Sequence, residues 1–231
     1  MSHEVVSAEK WIEARKRLLA KEKELTRLRD ELAEARRALP WQHVTKQYTF
    51  EGPAGRETLA QLFGGQSQLV VYHFMFDPEW DAGCKSCSFW ADNFDGIDVH
   101  LRQRDIAFVA ISRAPFAKLD AYRKRMGWRF KWLSSAGSDF NFDYFVSFSD
   151  AEVADASAFF NYQRQKPYGR ETVGISVFAK DGGELFHTYS CYARGVEMVN
   201  GAYHYIDLTP KGRDEGGRNQ FWVRRHDEYG T

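Results

Sequence analysis

The chain is poor in cysteine, with three among 231 residues. So few, and an odd number, exclude the disulfide scaffold of a small secreted domain. It has no excess charge of either sign, because Lys+Arg and Asp+Glu each total 32. That removes the usual electrostatic ground for a nucleic-acid or acidic-membrane partner. The longest apolar run is too short to span a bilayer. Met1-Ser2-His3-Glu4 does not open a basic segment followed by an apolar one, so no secretory signal is expected. There are no internal repeats. A soluble, cytoplasmic protein is the expectation. What is present is a large apolar share, 43%, with 16% aromatics, sufficient for one well-buried α/β domain with appendages.

Residues 1–40 read as a separate arm. Trp11, Ala14, Leu18, Leu25, Leu28, Leu32, Ala35 and Leu39 fall on alternating three- and four-residue steps, broken only by Lys21. Ser7 is the expected N-cap, and Pro40 ends the pattern. Such a stripe either lies on its own domain or joins two subunits as a coiled coil, giving a homodimer. Residues 41–215 alternate strand and helix. Tyr48-Thr49-Phe50 is a strand, 52–55 a turn, and Thr58–Phe63 a short helix closed by Gly64-Gly65. Leu69–Phe76 is a strand apolar on both faces, as central strands are. A helix is expected from the next cysteines toward Arg104, then a strand over 106–111 and a helix over 116–126. A further strand is expected over 130–133 and a helical turn over 140–145. Residues 147–170 lack a period and read as an insertion. Ile175–Phe178 and Leu185–Tyr189 flank Lys180-Asp181-Gly182-Gly183, a hairpin signature. This order predicts a mixed central sheet with helices on both faces. The Gly-, Arg- and Asp-rich segment 216–231 reads as a loosely ordered tail.

Cys84-Lys85-Ser86-Cys87 directly follows the central strand. Paired cysteines at a helix start suit thiol chemistry. Unpaired N–H groups and the helix dipole favour a thiolate on the first sulfur, and Lys85 adds positive charge. Cys87, one turn on, is placed to attack a mixed disulfide on Cys84 and release a reduced product. A zinc site is the rival, since Cys84, Cys87 and His100 have the spacing of half a finger. Arg104 stands where a second His would be, and Cys191 has no C-x-x-C mate, so a metal site would need His73, His187 or Cys191 brought in by folding. A redox-inert interaction module is the third possibility.

Several segments together resemble a known family: Tyr72–Phe76, Gly83–Trp90, Arg125-Met126-Gly127-Trp128, Phe186–Ser190 and Asp207–Glu215. They are similar to a bacterial thioredoxin-like family known as domain of unknown function 899, and more distantly to the thioredoxin fold in its longer, peroxiredoxin-like form. The resemblance runs from about Val6 to Glu215. It implies an α/β thioredoxin-like fold and no particular activity, cofactor or metal.

Two departures from thioredoxin follow. Lys85-Ser86 replaces the Gly-Pro found between the cysteines in many thioredoxins. The position that holds a cis-proline in thioredoxins is here about Val173, which bears on the binding of an extended protein disulfide more than of a small one. In thioredoxins a buried acid precedes the cysteines; this strand has only His73 as an ionisable residue, which is either a proton relay to Cys87 or a satisfied core histidine. Pro78 precedes Cys84 as in peroxidatic sites, but the hydroxyl residue of that pattern is missing. Cys191 would be a distal resolving cysteine in such a cycle. The aromatic stretch Trp128–Phe148 and the segment 209–213 are further candidates for a pocket wall and a covering loop. The expected function is thiol-disulfide oxidoreduction with Cys84, Cys87 and His73 on a small-molecule or protein disulfide. Thiol peroxidase, with Cys84 peroxidatic, and an inert or metal-binding module are the alternatives.

Overall fold

A computed structural model describes residues 3–230; Met1, Ser2 and Thr231, the ends of the expected arm and tail, lie outside the described residues. The chain divides into two compact units, residues 1–40 and 41–231. The first is one helix, α1 (Ala8–Arg37). Ser7 caps it, its hydroxyl accepting from the Lys10 N–H at 3.4 Å. Taken by itself the helix buries no residue.

In the second unit a short strand β1 (Gln42–His43) leads to a hairpin of β2 (Thr49–Gly52) and β3 (Gly55–Thr58) and a helical turn α2 (Leu59–Leu62). The central strand β4 (Gln68–His73) then enters α3 (Lys85–Phe94). The helix expected to reach Arg104 is two, because Gly96 takes φ +90° and a new turn, α4 (Asp98–Arg102), starts beyond it. Next come β5 (Ile106–Ser112), α5 (Phe116–Arg125), β6 (Trp132–Ser134) and α6 (Phe140–Asp143). Residues 147–170 carry a small helix α7 (Asp150–Ala154) and a two-stranded hairpin of β7 (Phe159–Phe160) and β8 (Gln163–Arg164). The terminal hairpin joins β9 (Gly174–Asp181) to β10 (Glu184–Tyr192) through Gly182 and Gly183, both at positive φ. A 3₁₀ segment (Ala193–Val199) and α8 (Gly201–Asp207) follow.

The main sheet has the order β1-β10-β9-β4-β5-β6-β2-β3. β4 is parallel to β5 and antiparallel to β9. A β-α-β crossover beside an antiparallel terminal hairpin is the thioredoxin-like arrangement, and the fold is the mixed α/β one expected. β4 divides its side chains by parity. Leu69 and Val71 enter a core with Leu59, Leu62, Phe140 and Phe178. Tyr72 and Phe74 enter the other, with Cys87, Trp90 and Phe94 of α3, Tyr122 of α5 and Tyr203 of α8. Edge-to-face ring pairs run through both cores. None of the described helices is long and apolar enough to cross a membrane.

Residues 221–228, expected to be loosely ordered, are held by specific contacts. Val223 is fully buried. Asp227 accepts from Arg125 at 2.7 Å, and His226 Nδ1 lies 2.7 Å from Asp92 Oδ1. The turn into α3 depends on Gly83. A Cβ there would stand 2.8 Å from the Phe74 ring and 2.9 Å from that of Tyr122. Gly83→Ala is expected to lower the unfolding free energy by about 1–3 kcal/mol, read as a lower urea midpoint. An unchanged midpoint would show that both rings can yield.

Candidate active site

β4 ends at His73, but its path continues: the Phe74 N–H donates to the Ile111 carbonyl at 2.9 Å. The chain then turns back on itself. Asp77 Oδ1 accepts from the Glu79 N–H at 2.9 Å, and the Asp77 carbonyl accepts from the Trp80 N–H. This loop returns Cys84 to the strand end, where its N–H donates to the Met75 carbonyl at 3.1 Å. Helix α3 therefore starts against the carboxyl end of the central strand.

Cys84 occupies the N-cap position of α3 and is partly exposed. Its sulfur lies against the Cys87 thiol and the backbone N–H groups of Cys87 and Ser86. The Cys87 thiol is the strongest influence; together with the N–H groups it outweighs burial and brings the Cys84 pKa from 9.0 to about 6. Lys85 is exposed. Cys87 is 1% exposed. Burial pushes its thiol well above the ordinary value, and the neighbouring Cys84 adds to this. The Met75 N–H donates to the Cys87 sulfur at 3.4 Å. One thiol is thus held ionised near the surface and its neighbour neutral inside.

A hydrogen-bonded strap closes over the start of the helix. Ser88 Oγ donates to the Cys84 carbonyl at 2.9 Å and lies 2.9 Å from the Tyr122 hydroxyl. Arg225 donates to that hydroxyl at 2.9 Å and, through Nη2, to the Gly83 carbonyl at 2.9 Å. The Arg225 contact has no signal in the sequence, since one arginine in a polar segment shows no period. The segment 209–213 is engaged elsewhere: Arg213 pairs with Asp207 at 2.9 Å and stacks on the Tyr203 ring.

Beside Cys87 opens a pocket of about 190 Å³. Tyr72, Met75, Trp90, Val173 and Val196 form its apolar walls, and Arg194, Glu197, Asn219 and Gln220 are among its polar lining. Val173, at the position compared with the thioredoxin proline, is one of these walls. No residue of the aromatic stretch 128–148 lines the pocket. Trp128, Phe130 and Trp132 fill one core instead, and Phe140 and Tyr144 the other.

The structure does not bring His73 to the cysteines, so the expected relay to Cys87 has no geometry to run through. Its parity in β4 sends it to the opposite face, where its ring stacks on Phe140 at 5.6 Å. There His73 Nε2 lies 2.8 Å from Ser176 Oγ, which lies 2.8 Å from Ser190 Oγ. Ser190 Oγ in turn lies 2.7 Å from His187 Nε2. Burial lowers the His73 pKa to about 3 and keeps the ring neutral. The residue beside Cys87 is its neighbour, Tyr72. Cys191 is buried at the end of β10. Among the described residues, no three His, Cys, Asp or Glu side chains are grouped as metal ligands.

No curated protein matches the chain. Solved structures with a similar chain trace include three peroxiredoxin-type proteins. Peroxidoxin BcpB of Mycobacterium tuberculosis is 12% identical, with a TM-score of 0.47 over 73% of this chain and 97% of that one. A PrxQ mutant from Xylella fastidiosa is 11% identical, with a TM-score of 0.45 over 71% and 94%. The bacterioferritin comigratory protein of Xanthomonas campestris is 12% identical, with a TM-score of 0.44 over 70% and 96%. The family model described as "Bacterial protein of unknown function (DUF899)" matches residues 1–229, and the chain belongs to that family.

Proposed function

We propose that the protein is a thiol-disulfide oxidoreductase in which Cys84 attacks and Cys87 resolves. The observation that carries this reading is a partly exposed Cys84 at the N-cap of α3 with Cys87 buried one turn on, a placement that lowers the first thiol's pKa to about 6 and raises the second's. In the first step the Cys84 thiolate attacks one sulfur of a substrate disulfide and releases the other half as a thiolate. In the second, Cys87 loses its proton and attacks Cys84. An intramolecular disulfide forms, and the second half of the substrate leaves as a thiolate. The apolar pocket of about 190 Å³ beside Cys87 favours a small disulfide with at least one apolar arm.

Alkylation of Cys84 tests this directly. Its rate is expected to be half-maximal near pH 6 and to fall as the pH drops below that, because protonation removes the nucleophile. An unperturbed thiol would give a midpoint of about 8.5, and that result would overturn the proposal. The same shift predicts a stability trend. Because the folded-state pKa is depressed from 9.0, the contribution of the Cys84 thiolate to folding is present above the ordinary thiol value and is lost as pH falls through about 6. Cys84→Ser should abolish disulfide turnover. Rapid peroxide consumption with a sulfenic acid trapped on Cys84 would instead assign a thiol peroxidase. Stoichiometric zinc lost on Cys87→Ser would assign a metal module.

For the arm, we propose a parallel two-stranded coiled coil with a second copy of the chain. Trp11, Leu18, Leu25, Leu28 and Leu32 of α1, and Leu39 just beyond it, are 44–59% exposed. The flanking charges suit a parallel partner. Arg17 would face Glu22 of the second helix, Glu24 would face Arg29 and Glu31 would face Arg36, with Lys10 and Arg15 the one like-charged pair. The full chain is expected to sediment as a dimer, and Leu25→Lys with Leu32→Lys as a monomer. A monomeric wild-type chain would sink the coiled coil.

A further inference from the structure

We propose that Tyr72 is a catalytic hydrogen-bond donor to the Cys87 sulfur, stabilising the thiolate that Cys87 must become when it resolves the mixed disulfide. The role rests on the oxidoreductase reading above and names a residue that reading does not require.

Tyr72 is 1% exposed, and its hydroxyl is buried without a hydrogen-bond partner at rest, sulfur included. A buried hydroxyl left unpaired is costly, which calls for an explanation at each site where it occurs. Tyr72 stands on the same face of β4 as α3, interacts with Cys87, and lines the same pocket. From the strand below, the Met75 N–H already points at the Cys87 sulfur at 3.4 Å. One backbone donor thus already reaches the buried Cys87 sulfur, and a second, the unpaired Tyr72 hydroxyl, lies in the same pocket and gains a partner when a thiolate forms on Cys87.

That is the arrangement expected where negative charge develops during a reaction. Donors fixed in advance gain most when the charge appears, and a water-poor site strengthens them. Burial holds the Tyr72 hydroxyl well above its ordinary pKa, so it stays protonated and can only donate. The balance of the step is as follows. The Cys87 S–H proton leaves to solvent through the pocket, while Tyr72 keeps its own proton and hydrogen-bonds the thiolate. That thiolate forms a sulfur–sulfur bond to Cys84 as the Cys84–substrate bond breaks, and the substrate half departs with the electron pair. His187 and His73 lie on the other side of the sheet and take no part.

The test uses the full-length reduced protein and 5,5′-dithiobis(2-nitrobenzoate), whose released thiolate is coloured. Wild type is expected to release two equivalents in two phases, the first from attack by Cys84 and the second from resolution by Cys87. In Tyr72→Phe, which removes one oxygen and keeps the ring, the second phase should slow by about ten- to a hundredfold, the size of a hydrogen bond to a charged group. The first phase should keep its rate. The second phase of the variant should also need a higher pH to reach its plateau, a shift that loosened packing alone would not produce. A variant with both phases at wild-type rates overturns the role of Tyr72 and leaves the oxidoreductase reading intact. A wild-type protein with no fast first phase overturns both.

Discussion

A strand buried on both faces must deliver each successive side chain to a different core, and the site depends on this rule at β4. Positions 69, 71 and 73 belong to one side; positions 70, 72 and 74 belong to the other. Helix α3 packs on the second side only. Whatever β4 offers to the cysteines must therefore come from an even-numbered position, and a shift of register by one residue would exchange the two sets. The parallel pairing with β5 and the antiparallel pairing with β9 hold that register along six residues on each side.

The same geometry separates two kinds of polar chemistry. On the α3 side, Cys84 sits at the helix start among backbone donors, where a negative charge is favoured, and Cys87 lies one turn deeper, where it is not. On the far side, His73, Ser176, Ser190 and His187 form a buried chain of hydrogen bonds that ties β4 to both strands of the terminal hairpin. That chain pairs the buried Ser176 and Ser190 hydroxyls and links β4 to the hairpin, while His73 Nδ1 is left without a hydrogen-bond partner.

Much of the fold could be read in the sequence. The two-faced apolar run at 69–76, the Asp181-Gly182-Gly183 turn and the Ser7 cap are local signals, and each marks an element that is present. The helix after the cysteines was harder, because Gly96 stops it and a second helical turn resumes with the same polarity of residues. The placement of His73 was not legible for a specific reason. A strand that is apolar on both faces shows no alternation, so its letters do not say which residues face α3. Tyr72 and His73 are adjacent in the chain and differ by one parity step. The 221–228 segment was illegible for another reason: Val223 and Arg225 are single anchors in a polar stretch, and single contacts leave no period.

Arg225 reaches a carbonyl 142 positions earlier in the chain. The setting of Cys84 is therefore a high-contact-order feature, closed by one of the longest-range contacts in the second unit. During synthesis Cys84, its strand and its helix emerge well before the residue that straps Gly83 in place. The turn into α3 is strapped only when Arg225 docks on the Gly83 carbonyl, which ties the frame of the cysteine pair to a segment far along the chain.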